Sequence, residues 1–244
     1  MNEQAPFQPE DLEELEAFLE QAHRVIPMGW VADGATSATS IGMRHDVDNA
    51  IEPAVEMAEW EAERGYRSTY FILHTAAYWQ DEKKLRKALE TIDDCGHEIG
   101  FHINAITAAI ADPFRDPVQI AAQAVGELRE LGYPCRGVVA HGDQACYKHG
   151  FVNDELFTES ARPDYGAPDR AVGSIILRPV SRLGLGFFYD PNWLPRSDYL
   201  SDSGGRWSQP FDEVAHRFPG AGQLHMLIHP DWWAHAFKTA KVAA

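Results

Sequence analysis

The residues able to do chemistry stand where short apolar runs end. Arg44-His45-Asp46-Val47-Asp48 follows Ile41-Gly42-Met43, and His102 closes Glu98–Phe101. His141-Gly142-Asp143 follows Arg136–Ala140, and His229-Pro230-Asp231 follows Leu224–Ile228. An aspartate with two imidazoles suits Zn²⁺ or another divalent first-row metal. In Asp-x-Asp, two carboxylates project from the same side of an extended chain. One can bind the cation while the other takes a proton from water. Taken singly, a lone Asp-x-Asp is ordinarily a loop or cap pair, and one strand-end histidine is ordinarily structural. Four such events at four strand ends point to one site.

The elements that must position these groups read as parallel βα units. Strands are expected at Ile41–His45, Ser68–Leu73, Glu98–His102, Arg136–Ala140 and Leu224–Ile228. Helices are expected at Ile51–Arg64, Glu82–Cys95 and Pro117–Leu131, closed by Gly65, Gly96 and Gly132. The strands are short and apolar, as when both faces are covered. All C-terminal strand ends of such a sheet open on one face, so Asp46, Asp48, His102, His141 and His229 should converge there. A leading amphipathic helix is expected over 10–26, then a small-polar linker from Gly34 to Ser40. Short strands are expected at Ser174–Leu177 and Gly186–Tyr189. His97 precedes its strand and is read as packing on or bonding to backbone; His74 ends one and is a pocket candidate.

Composition narrows the function classes. The 244 residues carry 21 Lys+Arg against 37 Asp+Glu, a formal charge of −16. No basic stripe is present, so no nucleic-acid partner is expected. No apolar run reaches the roughly 20 residues needed to span a bilayer. The first residues show neither a basic region nor an apolar core of a secretory signal. Cys95, Cys135 and Cys146 form neither a disulfide framework nor a metal knuckle, which predicts reduced thiols and a cytoplasmic protein.

These strings resemble the polysaccharide deacetylase (NodB-homology) family from about Ile41 to His229. Arg44-His45-Asp46-Val47-Asp48 is similar to the family's first motif, an aspartate pair after the first strand. Gly96-His97-Glu98-Ile99-Gly100-Phe101-His102 is the most specific likeness, and Leu227-Ile228-His229 resembles the last motif. The resemblance implies an α/β fold, a distorted (β/α)7 barrel over 41–230 in a single domain, with the leading helix added. It implies metal-assisted hydrolysis of an N-acetyl group on a sugar or surface-polysaccharide precursor. Asp46 would be the general base and His229 the general acid, with Asp48 and His102 on a divalent metal, Zn²⁺ foremost.

Two departures stand out. Members carry a second metal histidine four residues after the first, where this chain has Ile106. His141 is preferred to Asn104 as its replacement, because it ends a neighbouring strand and imidazole is the better ligand. The family's arginine-proline motif after the fourth strand is replaced by Val139-Ala140-His141-Gly142-Asp143. Supporting roles are expected for Arg44, as a charge partner of Asp46, and for Asp231 or another carboxylate beside His229. Asp143, Asp202 and Trp232 complete the candidate set. Tyr147, Tyr189, Trp193, Tyr199, Trp207, Trp232 and Trp233 could in part line a glycan cleft. The partner is thus a carbohydrate or small molecule, and a homo-oligomer is possible. Two rival readings are a non-catalytic carbohydrate-binding descendant and a metal-dependent C–N hydrolase of a small cyclic amide. An Asp-x-Asp phosphatase fits poorly, with Ala50 after the pair. A sugar-nucleotide transferase would leave His102 and His229 unexplained.

Overall fold

The computed structural model describes residues 7–35, 39–160, 170–172, 175–194 and 198–243. In chain order the elements are α1 (Pro9–Leu19), β1 (Arg24–Pro27), α2 (Met28–Ala32), β2 (Ser40–Val47), α3 (Glu52–Glu63) and β3 (Thr69–Leu73). Then come α4 (Glu82–Asp94), β4 (Glu98–Ile103), α5 (Ala105–Ala111), α6 (Pro117–Glu130), β5 (Val138–Ala140) and α7 (Gln144–Lys148). The last are β6 (Arg170–Val172), β7 (Ile175–Leu177), β8 (Asp198–Ser201), α8 (Phe211–Ala221), β9 (Gln223–Ile228) and α9 (Pro230–Ala243). The fold is α/β, as expected.

The contacts divide the chain into two compact units: Met1–Ile72 with Ala76–Ile99 and Leu194–Ala244, and Leu73–Thr75 with Gly100–Trp193. In the first, β2 is the hub. It pairs in parallel with β3 (Asp46 opposite Phe71), with β9 (His45 opposite Ile228) and with β1 (Val25 opposite Ile41). β8 adds outside β9, also parallel. Every residue of β2 is buried, which is what a strand flanked on both edges and covered on both faces requires. The apolar core of this unit gathers Leu15, Phe18, Ile41, Leu224, Met226 and Trp233. In the second unit β4 pairs in parallel with β5, His102 opposite Val139. β6 and β7 form a separate antiparallel pair.

Local chemistry explains most boundaries. Asp116 caps α6 by accepting from the N–H groups of Val118 and Gln119, with Pro117 at the first helical position. Gly65 and Gly96, with φ of 77° and 82°, take the left-handed conformation that stops α3 and α4.

Two expectations need correcting. The leading helix ends at Leu19, and Arg24–Pro27 becomes β1 rather than its last turn. The helical spacing of apolar residues does run on to Ala22, but β-branched Val25 and Ile26 gain more by pairing with Ile41 and Gly42. Gly186–Tyr189 is no strand: Tyr189 makes one isolated bridge with Gly137. The strand expected from Ser174 runs Ile175–Leu177, Ser174 itself lying outside the described residues, as do residues 36–38 of the expected linker. Cys95, Cys135 and Cys146 form no disulfide among the described residues. Among the described residues, no helix is long and apolar enough to cross a membrane.

Candidate metal centre

Alternation along β2 puts Arg44 and Asp46 on one side, with Asp48 next in step, and His45 on the other. Arg44 Nη2 lies 3.3 Å from Asp46 Oδ2, both side chains almost wholly buried. The guanidinium is therefore a charge partner of Asp46, as the sequence suggests.

His229 follows β9 and meets the carboxylate of Asp202, which follows β8. His229 Nδ1 is 2.7 Å from Asp202 Oδ1, and the His229 backbone N–H donates to both carboxylate oxygens at 3.0 Å. Trp233 Nε1 donates to Asp202 Oδ2 at 3.0 Å. These donors satisfy a carboxylate that is fully buried. The other ring nitrogen, Nε2, lies 3.9 Å from Asp48 Oδ2. Burial opposes charge on His229, but the bond and charge of Asp202, then the charges of Asp46 and Asp48, lift its pKa from 6.5 to about 9. The imidazole is thus an imidazolium at neutral pH.

Of the carboxylates expected beside His229, Asp231 is bound elsewhere. It accepts from the N–H of Asn49, the side-chain amide of Asn49 and the N–H of Ala50, at 2.9, 3.1 and 3.0 Å. Asp202 is the partner of His229. The pairing was hard to read from sequence, because 27 residues separate the two. Trp232 packs against the apolar core, and its ring lies beside Gly205.

In the second unit, His102 ends β4 with Nδ1 3.0 Å from the Val139 carbonyl. A carbonyl only accepts, so Nδ1 carries the proton and the lone pair sits on Nε2. That lone pair faces His141 Nδ1 at 3.2 Å, the two rings nearly perpendicular. The His141 N–H is held by the Ile103 carbonyl at 2.8 Å. Asn104 is committed elsewhere. Its amide donates to Thr75 and Asp143, and its carbonyl oxygen accepts from Asn153 at 2.7 Å. Asp143 also caps α7 through the Ala145 N–H. Ile106 is wholly buried in α5 and offers no ligand atom. His74 takes the Asn104 N–H on Nε2 at 3.0 Å and stacks on Phe101. Burial first, then the electrostatic influence of His102, Arg115 and His141, depresses its pKa to about 3, so it is neutral.

Within the second unit, His102 Nε2 and His141 Nδ1, 3.2 Å apart, are two imidazole nitrogens of the kind that Zn²⁺ or a neighbouring first-row ion takes as ligands.

A second histidine–carboxylate cluster lies behind β2, built from residues that carry no motif in the sequence. Glu61 of α3 accepts from Ser68 Oγ at 2.6 Å and Tyr70 OH at 2.9 Å, with His45 Nε2 at 2.9 Å. His97 takes the Ser68 N–H on Nδ1 and puts Nε2 3.0 Å from the Ala58 carbonyl. It is bonded to backbone, as expected. Of the aromatic residues, Tyr147 and Trp193 are half exposed, whereas Tyr189 and Trp233 are buried.

No protein-family model, curated protein or solved structure matches this chain.

Proposed function

We propose that this chain is a metal-dependent hydrolase that removes an N-acetyl group from a sugar, on a distorted (β/α)7 barrel of the polysaccharide deacetylase type. One observation carries the reading. His229 is a charged acid at neutral pH, and it stands 3.9 Å from Asp48, the carboxylate that the motif resemblance gives to the metal. A structural histidine needs no such charge, whereas amide cleavage needs a proton donor for its leaving nitrogen.

Asp48, His102 and His141 would hold the ion, which supplies Lewis-acid polarisation of the acyl carbonyl and a more acidic water. Asp46, held beside Arg44 at 3.3 Å, accepts the proton of the attacking water. His229 Nε2 gives its proton to the departing amine as the C–N bond breaks. Asp202 then faces a neutral imidazole, which recovers its proton from solvent or from Asp46. The motif resemblance supplies the sugar as substrate; Tyr147 and Trp193 offer half-exposed rings of the kind that stack on sugar faces.

The test is acetate release from N-acetylated glucosamine oligomers by the zinc-loaded chain. Asp48→Ala should lose both metal and activity, and His229→Ala should lower kcat by about 10²–10⁴-fold with metal retained. Zinc binding without acetate release from any N-acetyl sugar would favour a non-catalytic carbohydrate-binding descendant, a reading to which Ile106 lends weight.

A further inference from the structure

We propose that Asn153 is the positioning residue that makes His141 a metal ligand in this chain. The inference rests on the metal-centre reading above, and it concerns how the place left by Ile106 is filled.

Asn153 is almost wholly buried and belongs to a short 3₁₀ turn, Asn153–Leu156. Its carbonyl oxygen accepts from the backbone N–H groups of Ile106 and Thr107, at 3.1 and 3.3 Å. Its amide nitrogen lies 3.0 Å from the His141 carbonyl and 2.7 Å from Asn104 Oδ1, with Thr107 Oγ1 at 3.3 Å. One planar side chain thus ties the segment after β4 to the segment after β5. The first carries His102 two residues before Asn104; the second carries His141.

The geometry has a specific consequence. A histidine at position 106 would have stood on α5, held by the helix itself. His141 stands instead on the short segment between β5 and α7, where its N–H bond to Ile103 and its carbonyl bond to Asn153 hold the backbone. The N–H bond extends the β4–β5 pairing and sets the strand register. The carbonyl bond sets the rotation of the peptide beyond it, and so the direction of the ring. Asn153 reads the backbone at Ile106 directly, so it references His141 to the very turn that lacks a ligand. Second-layer partners of metal histidines typically govern affinity by about 10–100-fold.

The test uses zinc alone, titrated against a chelator on the full chain, with thermal unfolding recorded in parallel. Asn153→Ala should bind zinc about 10–100-fold more weakly. Asn153→Asp keeps the acceptor for Ile106 and Thr107 but loses the donor to His141. It should also bind more weakly, although its added charge favours a cation. In a His141→Ala background, neither substitution should weaken binding further, because the tether then holds nothing that ligates. A residue acting only on stability would show the same loss in both backgrounds. Wild-type affinity in both variants, or an equal loss with and without His141, overturns the proposal and leaves the metal centre standing. Failure of the unsubstituted chain to bind zinc overturns both.

Discussion

Two clusters in the first unit pair imidazole with carboxylate, and they behave oppositely. Asp202 and His229 make a charged pair whose second ring nitrogen faces further carboxylates. Glu61 sits among His45, Ser68 and Tyr70, enclosed on every side, and neighbouring His97 is driven toward its neutral form, by burial first. Glu61 itself stays below the usual carboxylate range: burial pushes it up, but the charge and bond of His45, then His97 and Ser68, pull it further down. The same residue types therefore build a charged imidazole facing carboxylates in one place and an enclosed strut in the other. The difference lies in what the second ring nitrogen meets. In His229 it meets Asp48; in His97 it meets a backbone carbonyl, which asks only for a neutral N–H.

That contrast can be broken, with the largest effect expected at Glu61. Glu61→Ala strands Ser68, Tyr70 and His45 without their acceptor, and should cost about 3–5 kcal/mol in chemical denaturation. Its effect should fall on stability and leave the NMR titration of His229 in the folded chain in place. Asp202→Asn should do the reverse. A His229 pKa of about 9 against 6.5 corresponds to about 3 kcal/mol of preference for the charged ring. Losing most of it should bring the alkaline limb of kcat/KM down from about pH 9 toward 6.5, read directly by NMR titration of His229. An alkaline limb that stays in place would remove Asp202 from its role.

The smallest effect is a pH dependence of stability. Because folding raises the pKa of His229, its stabilisation is complete below about pH 6.5 and is lost as pH rises through about 9. Unfolding free energies of the wild type should decline across that window, and those of Asp202→Asn should decline less.

The sequence disclosed the strands that matter because each ends in polar residues after an apolar run. β2, β4, β5 and β9 lie within two residues of their expected bounds. It concealed whatever depends on distant partners. β8 is short, and the carboxylate after it is meaningful only beside His229. β1 was hidden inside a helical spacing that Val25 and Ile26 happen to continue. Asn153 carries no motif; only the simultaneous reach to Ile106 and His141 marks it. The Arg44–Asp46 pair was legible because a two-residue step on a strand fixes it locally.

The turn around Pro230 carries His229 on one side and Asp231 on the other, and Asp231 clasps the backbone just beyond Asp48. In the proposed reaction, the acid and the ligand-bearing loop are therefore fastened to the same turn. If the terminal helix α9 lifted away, the donor and the loop would drift together, so looseness there would dim turnover without first unfolding the strands beneath.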